Sequence, residues 1–249
     1  MIYSAEDFKG LRAVGRMASE MLDYIGEFFT AGVSTYDLDR LVAARAKKLG
    51  AVCATLGYGG YTKSCCISRN EVICHGVPSK SEFLQDGDIV NMDVTLIYNG
   101  YFGDTSRMFG IGRVAPDAQR LCDTALRSLD LAIAACAPDV PFEEIGRVIE
   151  DEARREGFSV VREFCGHGTG RAFHEPPEIL HFFKRQQGAM REGEVFTIEP
   201  MLNAGGWRSV MDAQGWVART ADGSLSAQWE HTIGITKSGA EVFTKGGAK

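Results

Sequence analysis

The sequence predicts a mixed α/β (α+β) fold made of two copies of a helix–helix–strand unit related by pseudo-twofold symmetry. Three observations carry this. Apolar residues recur at three- and four-residue steps in two pairs of segments, one near the start of the chain and one around its middle. The second helices of the pairs superpose at a constant offset of 107 residues, matching Val33 with Val140, Arg40 with Arg147, Ala46 with Ala153 and Gly50 with Gly157. Core periodicity alone would not also align both arginines and both terminal glycines. Around the helices lie stretches of strict apolar–polar alternation, the period of a strand. The repeats run roughly 5–110 and 116–236 inside a single domain of residues 1–249, and facing halves leave a crevice for a ligand.

The first helix spans residues 6 to 29, with Phe8, Leu11, Val14, Met17, Met21, Ile25 and Phe28 on its apolar face and Gly32 as its stop. The second, Ser34 to Lys48, buries Leu38, Leu41, Val42 and Ala46 and ends before Gly50. Residues 88 to 98 alternate, with Val90, Met92, Val94, Leu96 and Tyr98 on one face and Asn91, Asp93 and Thr95 on the other. Asn99-Gly100 is a preferred two-residue hairpin turn. It pairs Tyr98 with Tyr101, so Thr95 faces Asp104, Asp93 faces Ser106, and the two aspartates become diagonal neighbours roughly 7 to 8 Å apart. Pro116 opens the third helix, with Leu121, Leu126, Leu129 and Ile133, and Phe142 to Arg155 forms the fourth, closed by Gly157. EVFTIEPM then carries Glu199 at the end of a strand. SLSAQWEHTIGIT puts Ser226, Gln228, Glu230 and Thr232 on one face and Ala227, Trp229, His231 and Ile233 on the other. CGHGTG holds His167 between glycines that let the backbone approach a ligand.

Composition narrows the function. The chain is 45% hydrophobic and 24% charged, with a net charge of -6, so no long-range field draws it to nucleic acid or anionic lipid. Seven scattered cysteines with no CxxC spacing and no secretory signal indicate a cytoplasmic location, where they pack as small apolar residues. No apolar run reaches the roughly 18 residues of a membrane span. An acidic single domain without an exposed apolar stripe is expected to be a monomer.

The carboxylates make the chemistry. Two of them 4 Å apart repel by roughly 4 kcal/mol at an effective dielectric near 20, so four converging in a crevice resist ionising together without a cation. Asp93, Asp104, His167, Glu199 and Glu230 form a set suited to two divalent ions bridged by carboxylates. His231 points away from Glu230, and His181 has no other ligand type beside it, so both read as structural histidines. FHEPPEILH is no HExxH zinc helix, because Glu178 stands where the second histidine belongs and Pro176 and Pro177 bar a helix. GHGTG lacks the serine of a nucleophile elbow, and neither GIGRVAP nor HGTGRAF sits in a dinucleotide-loop context.

NMDVTLIYNGYFGDTSRMF, GHGTGRAFHEPP, FTIEPMLNAG, SLSAQWEHTIGIT and the upstream GYTKSCCISRNEVICHGVP together resemble the type I methionine aminopeptidases, prokaryotic type, from about Asp7 to about Thr236. The resemblance implies the duplicated pita-bread fold. It also implies hydrolytic removal of the initiator methionine from nascent chains when the second residue is small, through a water shared by two metal ions. Asp93 would chelate one ion, Asp104 and Glu230 would bridge, and His167 and Glu199 would complete the other. His75 and His174 match the histidines that contact the peptide and its tetrahedral intermediate, with Glu199 as a proton shuttle. Tyr58, Tyr61, Cys66, Phe173 and Trp216 match the methionine pocket, and Asn70, Val72 and Ser226 a monovalent-cation site for Na or K. The divalent ions would be Co, Mn, Fe or Zn, and the partners nascent polypeptide N-termini at the ribosome. Two stretches depart from the family. Gly59 stands where bacterial relatives often have histidine, which implies a looser pocket mouth, and the loop 203–216 is richer in glycine than usual. Proline-specific relatives share the five-ligand layout but normally carry a large N-terminal domain, whereas here catalytic-repeat helices begin almost at Met1. Type II enzymes carry a helical insert for which 158 to 199 leaves no room, and non-catalytic binders on this fold have lost ligands.

Overall fold

In a computed structural model the described residues are 1–246, so positions 247–249 of the predicted domain lie outside them. The first half runs α1 (Ala5–Gly26), α2 (Thr35–Leu49), β1 (Val52–Cys53), β2 (Cys66–Arg69), β3 (Val72–Cys74), β4 (Ile89–Tyr98) and β5 (Tyr101–Gly110). The second runs α3 (Pro116–Ala134), α4 (Glu143–Arg155), β6 (Ser159–Val160), β7 (Gly166–Gly168), β8 (Glu175–Ile179), β9 (Val195–Ile198), β10 (Met201–Asn203), β11 (Ser209–Met211), β12 (Ala218–Thr220), β13 (Ser226–Gln228), β14 (Glu230–Thr236) and β15 (Gly239–Val242). Two helices followed by strands thus occur twice.

The helices form where their caps say they should. Ser4 caps α1 in a reciprocal box with Asp7, and Ser34 caps α2 by accepting the Asp37 N–H. Gly50 ends α2 in the left-handed conformation, and Pro116 occupies the first turn of α3. α1 stops at Gly26 rather than 29. The Phe28 and Phe29 N–H groups bond back to the Ile25 and Gly26 carbonyls in a tight turn, which stacks Phe29 on Phe109 with ring centroids 4.3 Å apart.

A nine-stranded sheet has the order β1-β4-β5-β14-β9-β7-β8, with β2 also on β4 and β15 on β14. The β4–β5 hairpin turns through Asn99 and Gly100, both at positive φ, in the predicted register: Tyr98 opposite Tyr101, Thr95 opposite Asp104, Asp93 opposite Ser106. α1 packs against this hairpin at close range because Gly103 has no side chain; a Cβ there would lie 2.9 Å from the Val14 carbonyl. Two cores form, one drawn from the first half and one mostly from the second, with Ile89 and Met108 of the first half joining the latter. Val14, Met21, Ile25, Leu38, Val42, Met92, Val94 and Leu96 cluster in the first, and Leu121, Leu129, Ile145, Ile149, Phe196, Ile198 and Ile233 in the second. The halves meet where β14 pairs with β5, Glu230 opposite Ser106 and His231 opposite Thr105.

SLSAQWEHTIGIT differs from the single strand its alternation predicts. The run breaks at Trp229: Ser226–Gln228 pairs with β10 in a three-stranded sheet, while Glu230–Thr236 enters the large sheet. Across the break Ser226, Gln228, Glu230 and Thr232 are all buried, while on the other face Trp229 and His231 are partly exposed and Ala227 and Ile233 are buried. Among the described residues no helix is long and apolar enough to cross a membrane.

Candidate metal centre and substrate cavity

Five neighbouring strands each deliver one residue of the nominated set. Asp93 lies on β4, Asp104 on β5, Glu230 at the start of β14, Glu199 one residue beyond β9, and His167 at the centre of β7. His167 Nε2 is 3.6 Å from both Asp104 Oδ2 and Glu199 Oε1. Ligand atoms of Asp104, His167 and Glu230 all fall within 4.8 Å of one another. All five line one cavity of about 850 Å³.

Neighbouring side chains hold the carboxylates in place. Thr95 Oγ1 donates to Asp104 Oδ1 at 2.6 Å. Thr197 Oγ1 donates to Glu199 Oε1 at 2.8 Å and accepts the His167 backbone N–H at 3.0 Å, so one hydroxyl ties two of the five together. Gln228 Nε2 reaches Glu199 Oε2 at 3.2 Å. Asp93 Oδ1, by contrast, is buried with no hydrogen-bond partner.

Electrostatics make this arrangement costly for a bare protein. Burial first, then the nearby Asp104 charge, pushes Asp93, Glu199 and Glu230 well above the ordinary carboxylate range. Burial lifts Asp104 to about 6 against the Thr95 hydrogen bond that pulls it down, and burial lowers His167 to about 4. A neutral imidazole among four carboxyl groups, one of them with an orphaned buried oxygen, is a donor set that fits divalent cations. Positive charge there would offset both the desolvation and the mutual repulsion.

His75 and His174 also line the cavity, as do Tyr58, Tyr61, Cys66, Phe173 and Trp216. Tyr61 is buried and bonds the Cys65 and Gly76 carbonyls at 3.1 and 3.0 Å, which sets its ring edge-on to Trp216. Phe173 stacks between Phe102 and His174. His75 holds a positive φ of 57°, a strained backbone for a non-glycine residue, with its ring edge-on to Phe164. Away from the five, Asn70 and Ser226 come together through a Ser226 N–H bond to the Asn70 carbonyl at 2.8 Å, and Val72 opens the adjacent strand β3.

Sequence reading missed the supporting residues. Thr95 was within reach, since the hairpin register puts it opposite Asp104, and so was Gln228, which the alternation of SLSAQWEHTIGIT sets on the face of Glu230; Thr197 carries no local signal. His181 is structural, as expected, but its Nε2 accepts the Glu199 backbone N–H at 3.2 Å, and burial pushes it down to about 3. Its neutral ring therefore seats Glu199. His231 pairs with Thr244, away from the cavity. Glu163, Phe164, Cys165, Glu175, Glu178 and Met201 complete much of the wall.

The model of metallopeptidase family M24 matches residues 9–237. The chain belongs to family M24. It is 47% identical to methionine aminopeptidase of Escherichia coli K12 over 245 residues, 98% of this chain and 93% of that one. The crystal structure of methionine aminopeptidase from Rickettsia prowazekii superposes with a TM-score of 0.96 at 42% identity, covering 98% and 99% of the two chains. An Xaa-Pro dipeptidase from Bacillus anthracis shares the fold at a TM-score of 0.80 and 20% identity, covering 100% of this chain and 63% of its own. The pita-bread architecture of this M24 chain is thus common to enzymes with different specificities.

Proposed function

We propose that this chain is a metal-dependent aminopeptidase that removes an N-terminal methionine whose neighbour is small, acting on nascent polypeptides. One observation carries the reading: four carboxyl groups, those of Asp104, Glu199 and Glu230 on buried residues, and an imidazole line one cavity whose wall also holds aromatic rings and thiols. Asp93, Asp104, His167, Glu199 and Glu230 are the proposed ligands of two divalent ions, among Mn, Fe, Co and Zn. Asn70, Val72 and Ser226 are the proposed holders of a monovalent ion, Na or K.

Bound there, divalent ions would supply a nucleophile from water at neutral pH and polarise the scissile carbonyl. The chain's own groups do the rest. Tyr58, Tyr61, Cys66, Phe173 and Trp216 receive the flexible thioether, whose sulfur packs favourably on ring edges. His174 donates to the carbonyl oxygen as negative charge grows on it, and His75 contacts the bound peptide. Glu199, held at Oε1 by Thr197 and at Oε2 by Gln228, takes the proton from the attacking water and passes it to the leaving amine.

The test is release of methionine from Met-Gly peptides against Xaa-Pro peptides, with added divalent metal and with chelator. Methionine release that needs metal and vanishes in Asp104→Asn is expected; preferential cleavage before proline, or full activity of the variant, would overturn the reading.

A further inference from the structure

The mouth of the cavity is spanned by a hydrogen bond between the two halves of the chain. Tyr58 Oη lies 2.8 Å from His174 Nδ1. The tyrosine sits on a short turn, Tyr58–Gly60, between Gly57 at φ 88° and Gly59 at φ 55°. Its ring leans on Phe173 and His174, with centroids 4.7 and 5.1 Å away.

Those rings fix the plane of the imidazole but cannot choose its tautomer. Phe173 stacks on it at 4.2 Å and the His167 ring lies 4.1 Å away, and neither is a hydrogen-bond partner. Among the described residues, the Tyr58 hydroxyl is the one hydrogen-bond partner of the His174 side chain. In a pair of neutral groups the phenol is the stronger donor and the bare sp² nitrogen the stronger acceptor, so the proton lies on oxygen. With Nδ1 accepting, the ring's own hydrogen must be on Nε2, the nitrogen left free to face a ligand.

We propose that Tyr58 is a positioning residue: its hydroxyl fixes His174 as the Nε2–H tautomer, so that the imidazole presents a donor to the carbonyl oxygen of the substrate. This rests on the aminopeptidase reading for its consequence, not for its geometry. The opposite tautomer would turn a lone pair toward an oxygen that is gaining negative charge, removing an attraction made chiefly in the transition state. Tyr58 therefore acts on turnover, which a plain wall of the methionine pocket would not.

Tyr58→Phe removes the hydroxyl and keeps the ring at a position 47% exposed, so the fold is retained. Two measurements test it. The chain has five histidines, so their ring nitrogens resolve in long-range nitrogen–proton spectra of zinc-reconstituted protein, with His174→Asn giving the assignment. The unaltered protein should show a protonated Nε2 and a hydrogen-bonded, unprotonated Nδ1 on His174; Tyr58→Phe should shift Nδ1 toward the position of a free nitrogen or mix the tautomers. In kinetics on a Met-Gly peptide, kcat should fall about tenfold with KM changed less than twofold. An unchanged His174 spectrum, or a raised KM at constant kcat, would overturn the inference. A chain that shows the expected spectra but releases no methionine would instead sink the function, leaving the tautomer assignment standing.

Discussion

Asp104→Asn should change stability in opposite directions with and without metal. Burial raises the Asp104 carboxyl from 3.8 to about 6 in the metal-free fold. At roughly 1.4 kcal/mol per pH unit, keeping it ionised costs about 3 kcal/mol. Because the folded value is the higher one, that cost is fully present above about 6 and gone below the unfolded value near 4. Asparagine removes the charge and keeps an oxygen for the Thr95 hydroxyl, which now donates at 2.6 Å, but buries an amide at a cost of about 1 kcal/mol. The net gain of about 2 kcal/mol should raise the melting temperature of chelated protein at pH 7.5 by about 4 to 8 °C, fading as pH falls toward 4. With manganese at about a thousand times its dissociation constant the unaltered chain should gain about 4 kcal/mol, and the variant, short of one proposed ligand, far less. Scanning calorimetry with and without chelator reads both arms. A variant destabilised equally in both would refute the claim that these acids are placed for a cation, leaving Asp104 as an ordinary structural residue.

Other substitutions separate the parts of the site. Thr197→Val deletes the hydroxyl shared by His167 and Glu199, so divalent-ion affinity by isothermal titration should fall about 10- to 100-fold, with Thr197→Ser recovering most of it. Gly59→Ala places a Cβ 3.3 Å from the Trp216 ring at a φ of 55°, costing about 1 kcal/mol of backbone strain; KM for methionyl peptides should shift several-fold with metal affinity unchanged. Gly103→Ala drives a Cβ to 2.9 Å from the Val14 backbone and should destabilise the fold by about 1 to 3 kcal/mol in denaturant titrations.

What the sequence made legible follows from how local each signal is. The caps at Ser34, Gly50 and Pro116 and the Asn99-Gly100 turn act within a few residues, so the helices and the hairpin register were readable. That register in turn put Asp93 and Asp104 side by side before any tertiary contact was known. The end of α1 was misjudged because the Phe29–Phe109 stack is a long-range contact that overrides helical periodicity. Trp229 gave no break signal, since the alternation of faces runs unbroken through it while its partners change sheet. His181 was the hardest case. Its use is a backbone hydrogen bond to Glu199 from 18 residues away, and no residue type advertises that.

The duplication explains why the acids converge at all. Asp93 and Asp104 come from the first half, and His167, Glu199 and Glu230 from the second, so neither half alone assembles the set. The two meet along a short ladder between β5 and β14, Glu230 opposite Ser106 and His231 opposite Thr105. Side chains reinforce that seam beside the carboxylates themselves. Thr105 Oγ1 donates to the Glu230 carbonyl at 2.8 Å, and Thr232 Oγ1 donates to the Asp104 carbonyl at 2.7 Å and accepts its N–H at 3.3 Å. Asn91 adds a third tie, its amide donating to Ser106 Oγ and to the Gln228 carbonyl, from which the same glutamine reaches Glu199. A cation held among the acids would add to what these hydroxyls and amides already do, because its charge would favour the ionised carboxylates that both sides of the seam present to it.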